Sequence, residues 1–145
     1  MAARLGRDPK VIIRKLRELN KLLLLPNMLY DLYGGCLENC PVFATTLNEM
    51  AMQSFEGIIR IFPVWDKSVD CKFKNLRADG AFLVSAEMKG GRLMYAEILS
   101  EAGESLTLEN PYAKARVMVD GKVFETEERF ITLKTEKGSR IIINE

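Results

Sequence analysis

Residues 81–92 read Ala81-Phe82-Leu83-Val84-Ser85-Ala86-Glu87-Met88-Lys89-Gly90-Gly91-Arg92. Phe82, Val84, Ala86 and Met88 recur at a period of two, which places them on one face of a strand with a buried side. Lys89-Gly90-Gly91-Arg92 supplies the positive φ that a tight hairpin requires. The same alternation extends in both directions. It predicts strands near 58–62, 71–76, 81–88, 92–100, 104–108 and 115–119, a run at 122–133 open to an interruption, and a last strand at 139–143. Asp120-Gly121 is a second hairpin signal, and Gly138 marks a third. Short strands at this spacing fit a small antiparallel β-sandwich better than alternating βαβ units.

Upstream of Gly57 the apolar period becomes helical. Asp8-Pro9 is a helix start, because the carboxylate accepts from free backbone N–H groups and proline suits the first helical position. Ile12, Leu16, Leu19 and Leu23 follow as one stripe expected to be buried, and the helix must end before Pro26. A second helix is expected from Pro41 to about Ser54, with Phe43, Leu47 and Met50 on one face, broken by Glu56-Gly57. The fold class is therefore α+β: about two helices in a segment 1–56, then a small antiparallel sandwich over 57–145.

Composition narrows the function classes. The chain has 145 residues, 21 Lys plus Arg, 20 Asp plus Glu and no histidine. A chain of this size buries roughly 68–70% of its unfolded surface, enough for a core without staples. Near-neutral charge argues against nucleic acid as the main partner. Without histidine there is no histidine base, no histidine metal ligand and no Ser-His-Asp triad. Acid–base chemistry would fall to carboxylates. Over residues 1–24, Lys and Arg outnumber Asp and Glu by seven to two, a net +5, read as the solvated face of an amphipathic helix rather than a specific anion site.

Cys36, Cys40 and Cys71 are an odd set, which excludes a disulfide scaffold, and with no histidine they do not complete a four-ligand zinc site. No cofactor and no metal are expected. The aliphatic run Leu22–Leu25 is far short of the ~20 residues of a membrane span, and the first residues lack the apolar core of a secretory signal. A cytoplasmic chain without membrane association is the expectation. Residues 26–40, Pro-Asn-Met-Leu-Tyr-Asp-Leu-Tyr-Gly-Gly-Cys-Leu-Glu-Asn-Cys, form an irregular segment of a kind that often carries function.

Several ordered segments share one likeness. Leu37-Glu38-Asn39-Cys40, Leu47-Asn48-Glu49-Met50-Ala51-Met52-Gln53-Ser54 and Glu56-Gly57-Ile58-Ile59-Arg60-Ile61-Phe62-Pro63 resemble the C-terminal part of glycoside hydrolase family 95, the α-L-fucosidases and related α-L-galactosidases. Asn75-Leu76-Arg77-Ala78-Asp79-Gly80-Ala81-Phe82, Ser100-Glu101-Ala102-Gly103 and Asn110-Pro111-Tyr112 continue the resemblance over roughly residues 10–115. It implies the last helices of an α/α toroid followed by the C-terminal sandwich, so that the chain corresponds to the tail of a larger, exported enzyme, starting at an internal methionine. By resemblance, Glu38 stands where the family's base-side aspartate is expected, one methylene longer, and Asn39 replaces the following glycine. Inverting hydrolysis needs an acid and a base roughly 6.5–9.5 Å apart. The family's acid glutamate and asparagines lie upstream of the matching segment, so the chain alone is expected not to hydrolyse glycosides.

Each sharp reading has a plainer counterpart. Glu38 also suits the cap of the helix that begins near Pro41. Asn39, Tyr30 and Tyr33 are candidate sugar contacts, whereas Trp65 is expected to pack where helices meet sandwich. Glu125, Glu127 and Glu128 read as a solvated strand edge that discourages edge pairing, and Asp66 and Asp70 as turn residues. Two partner classes stand open: self-association through exposed helix faces, and, for a free-standing sandwich, carbohydrate or protein.

Overall fold

A computed structural model describes residues 2–31 and 41–145. Two helices, α1 (Pro9–Leu23) and α2 (Pro41–Ala51), precede ten strands. These are β1 (Met52–Phe55), β2 (Ile58–Ile61), β3 (Cys71–Ala78), β4 (Phe82–Lys89), β5 (Arg92–Ser100), β6 (Leu106–Glu109), β7 (Ala115–Val119), β8 (Lys122–Thr126), β9 (Phe130–Leu133) and β10 (Arg140–Asn144).

Helix α1 begins as its sequence dictates. The Asp8 carboxylate accepts the Lys10 N–H at 2.8 Å, with Pro9 in the first turn. Helix α2 stops at Ala51, three residues short of the expected end at Ser54. Met52–Phe55 is instead strand β1, paired antiparallel with β2 from Met52↔Ile61 to Phe55↔Ile58. The cause is Glu56-Gly57. Both residues take positive φ, 57° and 71°, and form the two-residue turn whose twist matches that of the strands it joins. The pair closes a hairpin rather than breaking a helix, so the first sandwich strand lies inside the expected 1–56 segment.

The strands form a four-stranded sheet, order β1-β2-β6-β9, and a six-stranded sheet, order β3-β4-β5-β10-β7-β8. Every pairing is antiparallel except β2 with β6, which meet in parallel at Ile59↔Leu108. Ten strands appear where seven or eight are expected, because β1 was read as helix and the 122–133 run divides into β8 and β9. Those two lie in different sheets. Gly138 is a correction of the same kind: it joins β9 of one sheet to β10 of the other, so it marks a crossing and not a hairpin. Its φ is 93°, and its N–H donates to the Ser100 carbonyl at 2.7 Å.

The alternation that opens the sequence reading is realised. Phe82, Val84, Ala86 and Met88 are all buried, joined by Ile98, Val117, Ile141 and Ile143 from the six-stranded sheet and by Leu106 and Leu108 of β6. Ser100 is fully buried but satisfied, its hydroxyl lying 2.7 Å from that of Thr135 and accepting the Gly103 N–H.

A second, smaller core holds the helices. Ala3, Ile12, Met50 and Val64 are buried together, with Ile13, Leu16 and Trp65 packed around them. The expected α1 stripe is buried only at its N-terminal end, and Leu19 stays 43% exposed. Trp65 contacts both cores. Its indole N–H donates to the Val69 carbonyl at 2.9 Å, which places it at the helix-to-sandwich junction as the sequence reading has it.

Ile98→Ala removes a wholly buried side chain and should cost about 2–5 kcal/mol in chemical denaturation. Val123→Ala, on the exposed edge strand β8, should change stability by less than about 0.5 kcal/mol.

Candidate functional site

Tyr33, Glu38 and Asn39, three of the four sequence-derived site residues, lie outside the described residues, as do Cys36 and Cys40. The fourth, Tyr30, is buried. Its ring stacks on Phe43 with centroids 4.4 Å apart, and its hydroxyl donates to the Asn20 side chain. Tyr30 thereby ties the end of α1 to α2, a packing role rather than an open sugar-stacking face.

A groove with room for a ligand lies elsewhere. It holds about 650 Å³ and runs between α1 and the loop after β2, lined by Lys10, Ile13, Arg14, Arg17, Glu18, Lys21, Met50, Trp65, Asp66 and Val69. Its volume lies in the range of ligand clefts. Lys10, Arg14, Arg17 and Lys21 are spaced four, three and four residues apart, which puts them on one side of the helix. Across the floor, α2 contributes Met50, while Trp65 and Val69 come from the loop. The spacing of the cations was visible in the sequence and was read as a solvated face. The floor was not visible, because Met50 and Trp65 come together only when α2 packs on the sandwich.

Charges along this rim are unevenly matched. Glu18 bridges Lys15 at 2.7 Å and reaches Arg14 at 3.9 Å, and the Lys15 hydrogen bond holds its carboxyl below the usual range. Asp66 is also held low, first by the Ser68 backbone N–H it accepts. Lys10, Arg17 and Lys21 have no carboxylate within 4.0 Å among the described residues. The groove therefore offers four cations against two carboxylates, Glu18 and Asp66, beside an apolar floor.

A second cleft, of about 440 Å³, opens at one end of the sandwich among Ser54, Asp79, Phe82 and Glu104. The Ser54 hydroxyl accepts the Asp79 N–H at 2.8 Å there, bringing together two of the segments that carry the resemblance. Glu49, from the same segments, is not a free base. Arg4 donates to both its oxygens, at 2.8 and 2.6 Å, and holds its carboxyl below the ordinary range. Cys71 is half-buried, and burial pushes its thiol up, away from the reactive thiolate. Among the described residues no three His, Cys, Asp or Glu side chains converge on a metal position, and no helix is long and apolar enough to cross a membrane. Glu125 pairs with Lys114 on the exposed strand β8, in keeping with the solvated-edge reading.

No protein-family model and no curated protein matches the chain.

Tyr112, of the Asn110-Pro111-Tyr112 segment, donates its hydroxyl to the Leu93 carbonyl at 3.0 Å. Burial foremost, and then the charge of Glu145, push its pKa up to about 12. A phenol with a raised folded pKa gives stability that is complete below its unfolded value near 10 and is lost as pH climbs through the folded value. Wild-type protein should therefore lose more stability than Tyr112→Phe between pH 9 and 12, and denaturant midpoints measured across that range check it.

Proposed function

We propose that the chain is the C-terminal part of a family 95-like α-L-fucosidase or α-L-galactosidase, a sandwich that supports a helical catalytic domain and does not turn over glycosides by itself. The observation that carries this reading is the contrast between the two cores. The sandwich has a large buried core, whereas the helices share only the small cluster of Ala3, Ile12, Met50 and Val64 and leave Val11, Leu19, Leu22, Val42 and Leu47 exposed. Apolar faces of this kind are what further helices would cover. The order of the resembling segments adds support: the Leu47–Ser54 segment spans the passage from α2 into β1, and Asn75–Phe82 spans the turn from β3 into β4. General acid help is worth typically 10²–10⁴-fold, and the matching segment does not include the family's acid.

The second reading is a free-standing sandwich that binds carbohydrate or a protein. The groove beside α1 is what favours it.

Two measurements separate them. Purified protein should leave nitrophenyl α-L-fucoside and α-L-galactoside intact and should self-associate with rising concentration in size-exclusion chromatography. Turnover abolished by Glu38→Gln would overturn the claim of inactivity. A strictly monomeric protein that binds defined glycans would favour the free-standing module.

A further inference from the structure

We propose that the groove beside α1 is a docking site for an acidic amphipathic helix of a partner protein. The floor has the composition of an interface centre. Trp65, Met50 and the stems of Arg14 and Arg17 belong to the residue types enriched in buried protein contacts, and the groove they line holds about 650 Å³. The rim selects the charge. Lys10, Arg14, Arg17 and Lys21 repeat at four, three and four residues, covering about 16 Å at a rise of roughly 1.5 Å per residue. A helix with carboxylates at the same period presents matching charges along that length, with its apolar stripe on the floor.

Helices α1 and α2 of a second copy do not present that surface. Among the described residues, α1 carries only Glu18 as an acid and α2 only Glu49, and both are already paired, with Lys15 and Arg4 respectively. On the sandwich, Glu87, Glu97, Glu101, Glu109 and Glu125 are likewise held by Lys72, Arg140, Arg77, Arg129 and Lys114. Neither helix of the chain presents an acidic face, whereas three of the four groove cations lack a carboxylate within 4.0 Å. The occupant proposed is therefore a helix of a different protein rather than α1 or α2 of a second copy. The inference stands on the groove alone and does not need the glycosidase reading.

The chain reports on this site directly, because Trp65 is its one tryptophan. The probe is an 18-residue peptide with leucines at helical spacing flanked by glutamates. It is compared with a version carrying Lys for each Glu and one carrying Ser for each Leu. Titration into the full chain should shift Trp65 emission to the blue and saturate. The affinity should fall at least tenfold in Arg14→Glu/Arg17→Glu, and several-fold as salt rises and screens the rim. Both substituted residues are exposed, and circular dichroism verifies that the variant is folded. The proposal is overturned if the acidic peptide leaves Trp65 unchanged or if the double variant binds equally well. It is also overturned if the serine version binds as tightly, since that would make the rim a general polyanion surface without a helix-reading floor.

Discussion

Met50 and Met52 sit two residues apart and belong to different cores, and the rest of the molecule is arranged around that fact. Met50 is buried with Ala3, Ile12 and Val64, Met52 with the sandwich. No linker separates helix from sheet. The Ala51 carbonyl accepts the Phe62 N–H at 2.7 Å and the Met50 carbonyl accepts that of Val64 at 3.4 Å, so the hydrogen bonding of the β1–β2 ladder continues into the last turn of α2. Helix α2 cannot pivot on the sandwich without breaking these backbone bonds. The floor of the groove beside α1 depends on this junction, because it is shared between Met50 on one side and Trp65 on the other.

Aromatic packing reinforces the junction. Phe62 takes positive φ, and its ring meets those of Trp65 and Phe73 edge-on, at 6.1 and 5.3 Å. Such edge-to-face pairs contribute about 0.5–1.5 kcal/mol beyond their burial. On the neighbouring surface, Phe55 lies beneath the guanidinium groups of both Arg4 and Arg60. Arg4 also grips Glu49, so the N-terminal turn, α2 and the first hairpin are bound together by one side chain.

What could be read from the sequence follows from the range of each interaction. The Phe82–Met88 face and the Gly90-Gly91 and Asp120-Gly121 turns are local signals, and the structure follows them closely. Glu56-Gly57 carried the same turn chemistry. In the sequence it looks like a helix stop because Met52, Gln53, Ser54 and Phe55 continue a helical-looking run, and only pairing with Ile58–Ile61 makes them a strand. Gly138 misled in the opposite direction, since positive φ alone does not say whether the next strand joins the same sheet. The groove was the least legible feature. Half of it, the spacing of Lys10, Arg14, Arg17 and Lys21, is in one helix, while the other half comes from residues about thirty to sixty positions away, and no periodicity connects them.

The near-zero net charge hides a separation that the structure makes explicit. On the sandwich, carboxylates and cations pair across the surface: Lys72 sits opposite Glu87 on the adjacent strand, Arg140 reaches Glu97 diagonally, and Arg60 and Arg129 share Glu109. Cross-strand pairs of this kind each contribute little, but together they neutralise the sheet surface. Among the described residues, Lys10, Arg17 and Lys21 then have no carboxylate within 4.0 Å and lie along one side of α1. Long Lys and Arg stems can border apolar surface while their heads stay in water, so a solvated face and a docking rim are two uses of one arrangement. On the docking proposal, charge selects the partner and burial on the floor holds it, since long-range attraction sets which molecules approach and desolvated contact sets how long they stay.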